Sequence, residues 1–114
     1  MAKHERVVVG TEIKLKVSID PIGDLTMDKY NFVIEVYCNP RKSVTITKED
    51  IKTKSGVGGV LDDGSYYICI DTSDVGIGNL KAKVTAYLPD STFGDLERTE
   101  VTIVNTGIVI INDI

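Results

Sequence analysis

The chain has 114 residues, enough for one domain with a two-layer core, and its 42% hydrophobic and 26% charged residues are ordinary for a globular protein. A net charge of −4 excludes the basic footprint that non-specific nucleic-acid binding needs, and it offers no attraction to an anionic membrane surface. The opening residues Met1 to Arg6 lead into only three valines before Gly10, too short for a signal-peptide core, and no apolar run approaches the ~18–20 residues that span a bilayer. Synthesis and assembly in a cytoplasm are therefore expected.

Residues 6–9 read as a short opening strand. In residues 11–19, Ile13, Leu15, Val17 and Ile19 alternate with Glu12, Lys14, Lys16 and Ser18, the period of two that marks a strand with one face buried and one wet. Asp20, Pro21, Ile22, Gly23 and Asp24 form a turn cluster. The next strand spans 30–38, with Phe32, Ile34 and Val36 inward, and Asn39-Pro40 ends it. A short strand follows over 43–47. Thr47 is placed as an N-cap, with Glu49 and Asp50 in the first turn of a short helix. Residues 55–59 are glycine-rich and read as a mobile loop. Asp62-Asp63-Gly64 signals a turn, and residues 65–71 are a strand with Tyr66, Ile68 and Ile70 on one face. A helical turn is expected over 72–76. Leu80, Ala82, Val84, Ala86 and Leu88 then alternate with Lys81, Lys83, Thr85 and Tyr87, the cleanest strand of the chain. Pro89-Asp90 opens a loop, 98–104 is a strand, and 108–111 is a final apolar run.

These elements define an all-β fold class, a single immunoglobulin-like β-sandwich of about seven to eight short strands covering residues 1–114, with an open β-barrel as the alternative topology. Asp63, Tyr67 and Cys69 match the Asp-x-x-x-Tyr-x-Cys signature of antibody domains. The match is coincidental: the other cysteine, Cys38, is close behind, there is no tryptophan, and two strands still follow. Cys38 shares the parity of the inward residues and Cys69 has the opposite parity, so the two thiols are expected to stay unpaired.

No constellation carries chemistry. His4 is the only histidine, so neither a nucleophile–base pair nor a zinc ligand set can be assembled. The glycines at 56, 58 and 59 lack the lysine and following helix of a phosphate loop. Acids gather in several connections (Asp20/Asp24/Asp28, Asp62/Asp63, Asp71/Asp74, Asp90/Asp95), where they serve as turn formers or, if they converge, as oxygen ligands for calcium. The expected site list is thus empty for catalysis, metals and cofactors, and the chain is read as non-enzymatic.

The unusual stretches are apolar and terminal. Val7, Val8 and Val9, and Ile108, Val109, Ile110 and Ile111, are β-branched runs without alternation, which ask for cover on both faces. Either the two ends pair with each other or with neighbouring strands, or at least one docks on another subunit by strand addition. These seven residues are the candidate assembly interface. Under the docking reading, Ile110→Asp abolishes assembly and leaves a folded monomer.

Residues 62–66, 71–73, Gly76, Gly78, 80–90, Phe93, Asp95, 98–101 and 105–108 together carry a resemblance covering about half the chain. In this wording the chain resembles small proteins common in phages and prophages of gut Bacteroidetes, the crAss-like phages among them. The resemblance implies a virion structural protein with an immunoglobulin-like sandwich. A head fibre or capsid decoration protein comes first, and tail or baseplate association next. It implies other virion proteins or further copies of the chain as partners, no nucleic acid and no membrane, and a homo-oligomer in a particle assembled in the host cytoplasm. Ser91-Thr92-Phe93-Gly94 departs from the more acidic, proline-containing loop the resemblance leads one to expect, and Asp90, Phe93 and Asp95 form the candidate exposed loop. The competing function is a carbohydrate- or surface-binding module using Tyr37, Tyr67 and Tyr87, all of outward parity.

Overall fold

The computed structural model describes residues 5–19, 25–39, 41–94 and 96–112. His4, the turn cluster at 20–24, Pro40 and Asp95 lie outside the described residues. Among the described residues, eight strands form two sheets: β1 (Glu5–Val8), β2 (Glu12–Val17), β3 (Asn31–Asn39), β4 (Lys42–Thr47), β5 (Gly58–Val60), β6 (Tyr66–Asp71), β7 (Gly78–Pro89) and β8 (Glu97–Ile111). One sheet has the order β1-β8-β7-β3-β4 and the other β2-β6-β5. This is an all-β sandwich with the strand arrangement of an immunoglobulin-like fold, β1 sitting on the β8 edge of the larger sheet. Among the described residues, no helix is long and apolar enough to cross a membrane.

The alternation in the sequence explains the core. Phe32, Ile34 and Val36 from β3 are at most 1% exposed, and they face Ile68 and Ile70 of β6 across the interlayer space, with Leu80 and Leu88 of β7 beside them. Each side chain removed from water in this way contributes roughly 1.5–3 kcal/mol. Phe32 and Tyr66 tie the two sheets together with an edge-to-face contact, their centroids 5.1 Å apart.

The short α-helix α1 (Lys48–Thr53) follows β4 directly. Thr47 caps it as expected: the Asp50 amide donates to Thr47 Oγ1 at 3.0 Å and the Thr47 amide donates to Asp50 Oδ2 at 3.1 Å, a complete capping box. Lys48 is buried, and its Nζ donates to the Met27 and Tyr30 carbonyls at 3.0 and 2.9 Å, pinning the helix onto the turn before β3. A 3-10 turn at Thr72–Asp74 makes the crossover between β6 and β7, where the sequence places a helical turn.

Three expectations need correction. The glycine-rich stretch read as a mobile loop contributes β5, which pairs Gly58 with Ile68 and Val60 with Tyr66. A Cβ on Gly58 would lie 2.2 Å from the Tyr67 carbonyl oxygen, so glycine is there for close approach of backbones. The strands are not all short, since β7 has 12 residues and β8 has 15. The third concerns the chain's end: the strand at 98–104 and the run at 108–111 are one strand, β8. A bulge at Thr106, Gly107 and Ile108, three residues opposite Leu80, divides it, with Gly107 at φ 79° and Thr106 Oγ1 donating to the Leu80 carbonyl at 2.8 Å.

Candidate functional site

The two terminal apolar runs meet. β1 lies parallel to the end of β8, with Glu5 opposite Ile108 and Val8 opposite Ile111, and the Val9 amide donates to the Ile111 carbonyl at 2.8 Å. Ile110 is 0% exposed and belongs to the core, so it is not available to a partner. Val9 and Ile108 pack against that core, Val7, Val109 and Ile111 are half-buried, and only Val8 is exposed, at 41%. The expected interface residues are therefore mostly an internal seam between the chain's own ends.

A different stretch of the same edge is open. Among the described residues, β8 has a strand on its outer side only over residues 108–111, so the backbone groups of residues 98–105 on that side face outward unpaired. The side chains there run opposite to the sandwich pattern. Register with β7 places Glu100, Thr102 and Val104 opposite the inward Ala86, Val84 and Ala82, while Val101 and Ile103 lie opposite the outward Thr85 and Lys83. The inward positions here are thus Glu100, Thr102 and Val104, the last of them still 48% exposed, while Val101 and Ile103 face outward into water at 54% and 59% exposure.

Inward Glu100 and Thr102 cannot help to close the core, and Ala82 and Ala86 are too small to fill the space beside them. The sheets consequently stand apart along this side. Between β2 and the β7–β8 pair lies a cleft of about 600 Å³, walled by Val17, Ile19, Val84 and Val104. The Glu100 carboxylate has Arg98 Nη1 at 3.3 Å from Oε2, and Arg98 reaches Asp90 through Nε at 3.3 Å. Beside this group the Tyr30 hydroxyl is buried without a hydrogen-bond partner, and burial, with the nearby Glu100 charge, raises its pKa.

Asp90 is half-buried and organises its own loop, since Oδ1 accepts from the Thr92 amide at 3.0 Å and from the Thr92 hydroxyl at 2.7 Å. Its pKa falls below the usual carboxylate range for that reason, helped by Arg98. Phe93 is 48% exposed at the loop tip, and Leu96 closes the loop at φ 65°. Two further acids bond locally: Asp63 accepts from the Ser65 amide at 3.0 Å, and Asp71 from the Ser73 amide at 3.0 Å. Among the described residues, no group of three or more His, Cys, Asp or Glu side chains gathers to hold a metal ion.

The three tyrosines do not form one platform. Tyr67 projects from the outer face of the smaller sheet, where Lys14 Nζ sits 5.2 Å from its ring centroid. Tyr37 and Tyr87 are on the larger sheet; Tyr87 pairs with Asn31, six positions along β3 from Tyr37, a separation of roughly 20 Å. Cys38 faces inward, with Sγ 3.5 Å from the Gly76 and Gly78 carbonyls, and both cysteines are free. The antibody-like signature lies on β6 in the smaller sheet, with strands β7 and β8 still to follow.

Comparison with family models, with curated proteins and with solved structures finds no match to this chain. Any reading of function therefore rests on the site's own geometry and on the wording of the sequence.

Sequence reasoning named the terminal runs and missed the open part of β8. The signal was present: in Glu100-Val101-Thr102-Ile103-Val104 the apolar residues at 101 and 103 share a parity with Thr85 and Lys83 once the hairpin is aligned. Aligning it requires the loop length between β7 and β8, which the alternation within one strand does not supply.

Proposed function

We propose that this protein is a non-enzymatic structural component of a phage virion, a head fibre or capsid decoration protein that assembles through the sheet edge built by its terminal strands. The observation that supports the reading most is the open strand: Val101 and Ile103 face water beside a backbone edge that, among the described residues, has no neighbouring strand. An exposed apolar edge without protection is a hazard for a free monomer and an attachment device for a lattice protein. Repetition of one such contact over a particle lets each be weak while the assembly holds by avidity. The resemblance of residues 62–108 to small phage proteins supplies the setting, and Asp63, Asp71 and Asp90 are engaged in their own turns.

The test is compositional. Particles purified from the bacterium carrying the gene are analysed by mass spectrometry and labelled with gold-conjugated antibody to the domain. Regular labelling of the particle surface is the expected result. Intact particles lacking the protein overturn the reading.

A further inference from the structure

We infer that the open stretch of β8 pairs antiparallel with the same stretch of a second copy, making one continuous sheet across a twofold axis at Thr102. This names the partner within the assembly reading above and rests on it. The other edges of the sandwich are all blunted. β1 is four residues long and carries Glu5 and Arg6, β2 carries Glu12, Lys14 and Lys16, β5 has three residues, and β4 begins at Lys42 and ends in a capped helix. Shortness and charge are the ordinary means of keeping an edge from pairing. From Thr99 to Ile111, β8 has Glu100 as its one ionisable residue and no proline.

Charge also selects the register. An axis at Glu100 would set two carboxylates face to face, and an axis at Val101 would leave them diagonal neighbours, both unfavourable. With the axis at Thr102, Glu100 lies opposite the partner's Val104 and Thr99 opposite the partner's Asn105. Val101 then lies opposite the partner's Ile103, twice by symmetry, so the exposed apolar pairs cover each other. The bulge at residues 106–108 falls where Glu5, the first described residue of β1, meets Ile108, which sets the pairing within residues 99–105. The contact is isologous and closed, as twofold dimers are.

The experiment is light scattering and sedimentation equilibrium on the full chain over a concentration series. The wild type is expected to reach twice its 12.5 kDa mass, and the Val101→Lys/Ile103→Lys variant to remain at that single mass with an unchanged circular dichroism spectrum. In a Cys38→Ser/Cys69→Ser background, Thr102→Cys is expected to give a disulfide-linked dimer on mild oxidation, and Thr45→Cys on the far edge to give none. A wild type that stays monomeric throughout, a dimer untouched by the lysine pair, or equal cross-linking at both cysteines overturns the inference. A monomer found on particles would sink the dimer and spare the virion reading; a dimer never found on particles would do the reverse.

Discussion

The hydroxyl of Thr72 donates to the carbonyl of Thr11 at 2.8 Å and accepts from the Gly10 amide at 2.9 Å, joining the crossover between the sheets to the turn between β1 and β2. Thr72 is 0% exposed, so its hydroxyl has no water to bond in place of either partner. Thr72→Val keeps the shape and strands the Gly10 amide. The expected cost is about 1–3 kcal/mol, read as a lower urea midpoint with an unchanged slope. Thr72→Ser should recover most of it, and equal stability of Val and wild type would show that the pin does not matter.

Ile110 and Val101 lie on one strand and should respond oppositely to charge. Ile110→Asp places a carboxylate in the core and is expected to unfold the domain, since even Ile110→Ala should cost about 2–5 kcal/mol. Val101→Asp, at a site 54% exposed in the single chain, should leave the domain folded and, at protein concentrations too low for copies to pair, change stability by no more than about 0.5 kcal/mol. Thermal melts of the two purified variants decide the matter. A folded Ile110→Asp monomer would return the residue to the surface.

Tyr30→Phe is expected to stabilise the protein. The Tyr30 ring is buried beside Phe32 and its hydroxyl has no partner, so removing that oxygen relieves a desolvation penalty of about 1–3 kcal/mol. Comparative chemical denaturation reads the gain. A loss of stability would mean that the hydroxyl is bonded in solution.

Acid should unfold the domain through its turns. Hydrogen bonds from Ser65, Ser73 and Thr92 hold the carboxyls of Asp63, Asp71 and Asp90 below the ordinary carboxylate range, and the Thr47 amide does the same for Asp50. Folded pKa values below the unfolded value of about 3.9 mean that the stabilisation is complete above that pH. It is lost as pH falls through the folded values. A melting temperature that is flat near neutrality and drops below about pH 4 is expected, with Asp63→Asn giving a shallower drop.

The layers of this fold are legible in the sequence because alternation records which side of a strand is covered. Phe32, Ile34 and Val36, or Ile68 and Ile70, need no further information. Gly58 is ambiguous in isolation, since glycine serves a loose loop and a tight backbone approach equally, and only the position of the Tyr67 carbonyl distinguishes them. The run Ile108 to Ile111 is apolar on both sides, with Ile110 in the core and Val109 and Ile111 half-buried. The pattern does not say that β1 of the same chain lies along its edge. Asp90 was legible as a loop residue, but its bond to Thr92 and its bridge to Arg98 depend on the loop's path.

The parallel seam between β1 and β8 has a mechanical meaning. The chain enters at Glu5 beside Ile108 and leaves past Ile111 beside Val8, so the two points of attachment lie at opposite ends of one seam. Tension drawn between them loads its hydrogen bonds together, in shear, where an antiparallel hairpin would open one bond at a time. The same seam sits next to the open edge of β8, so a pull strong enough to slide β1 away would lengthen the free edge by the stretch 108–111.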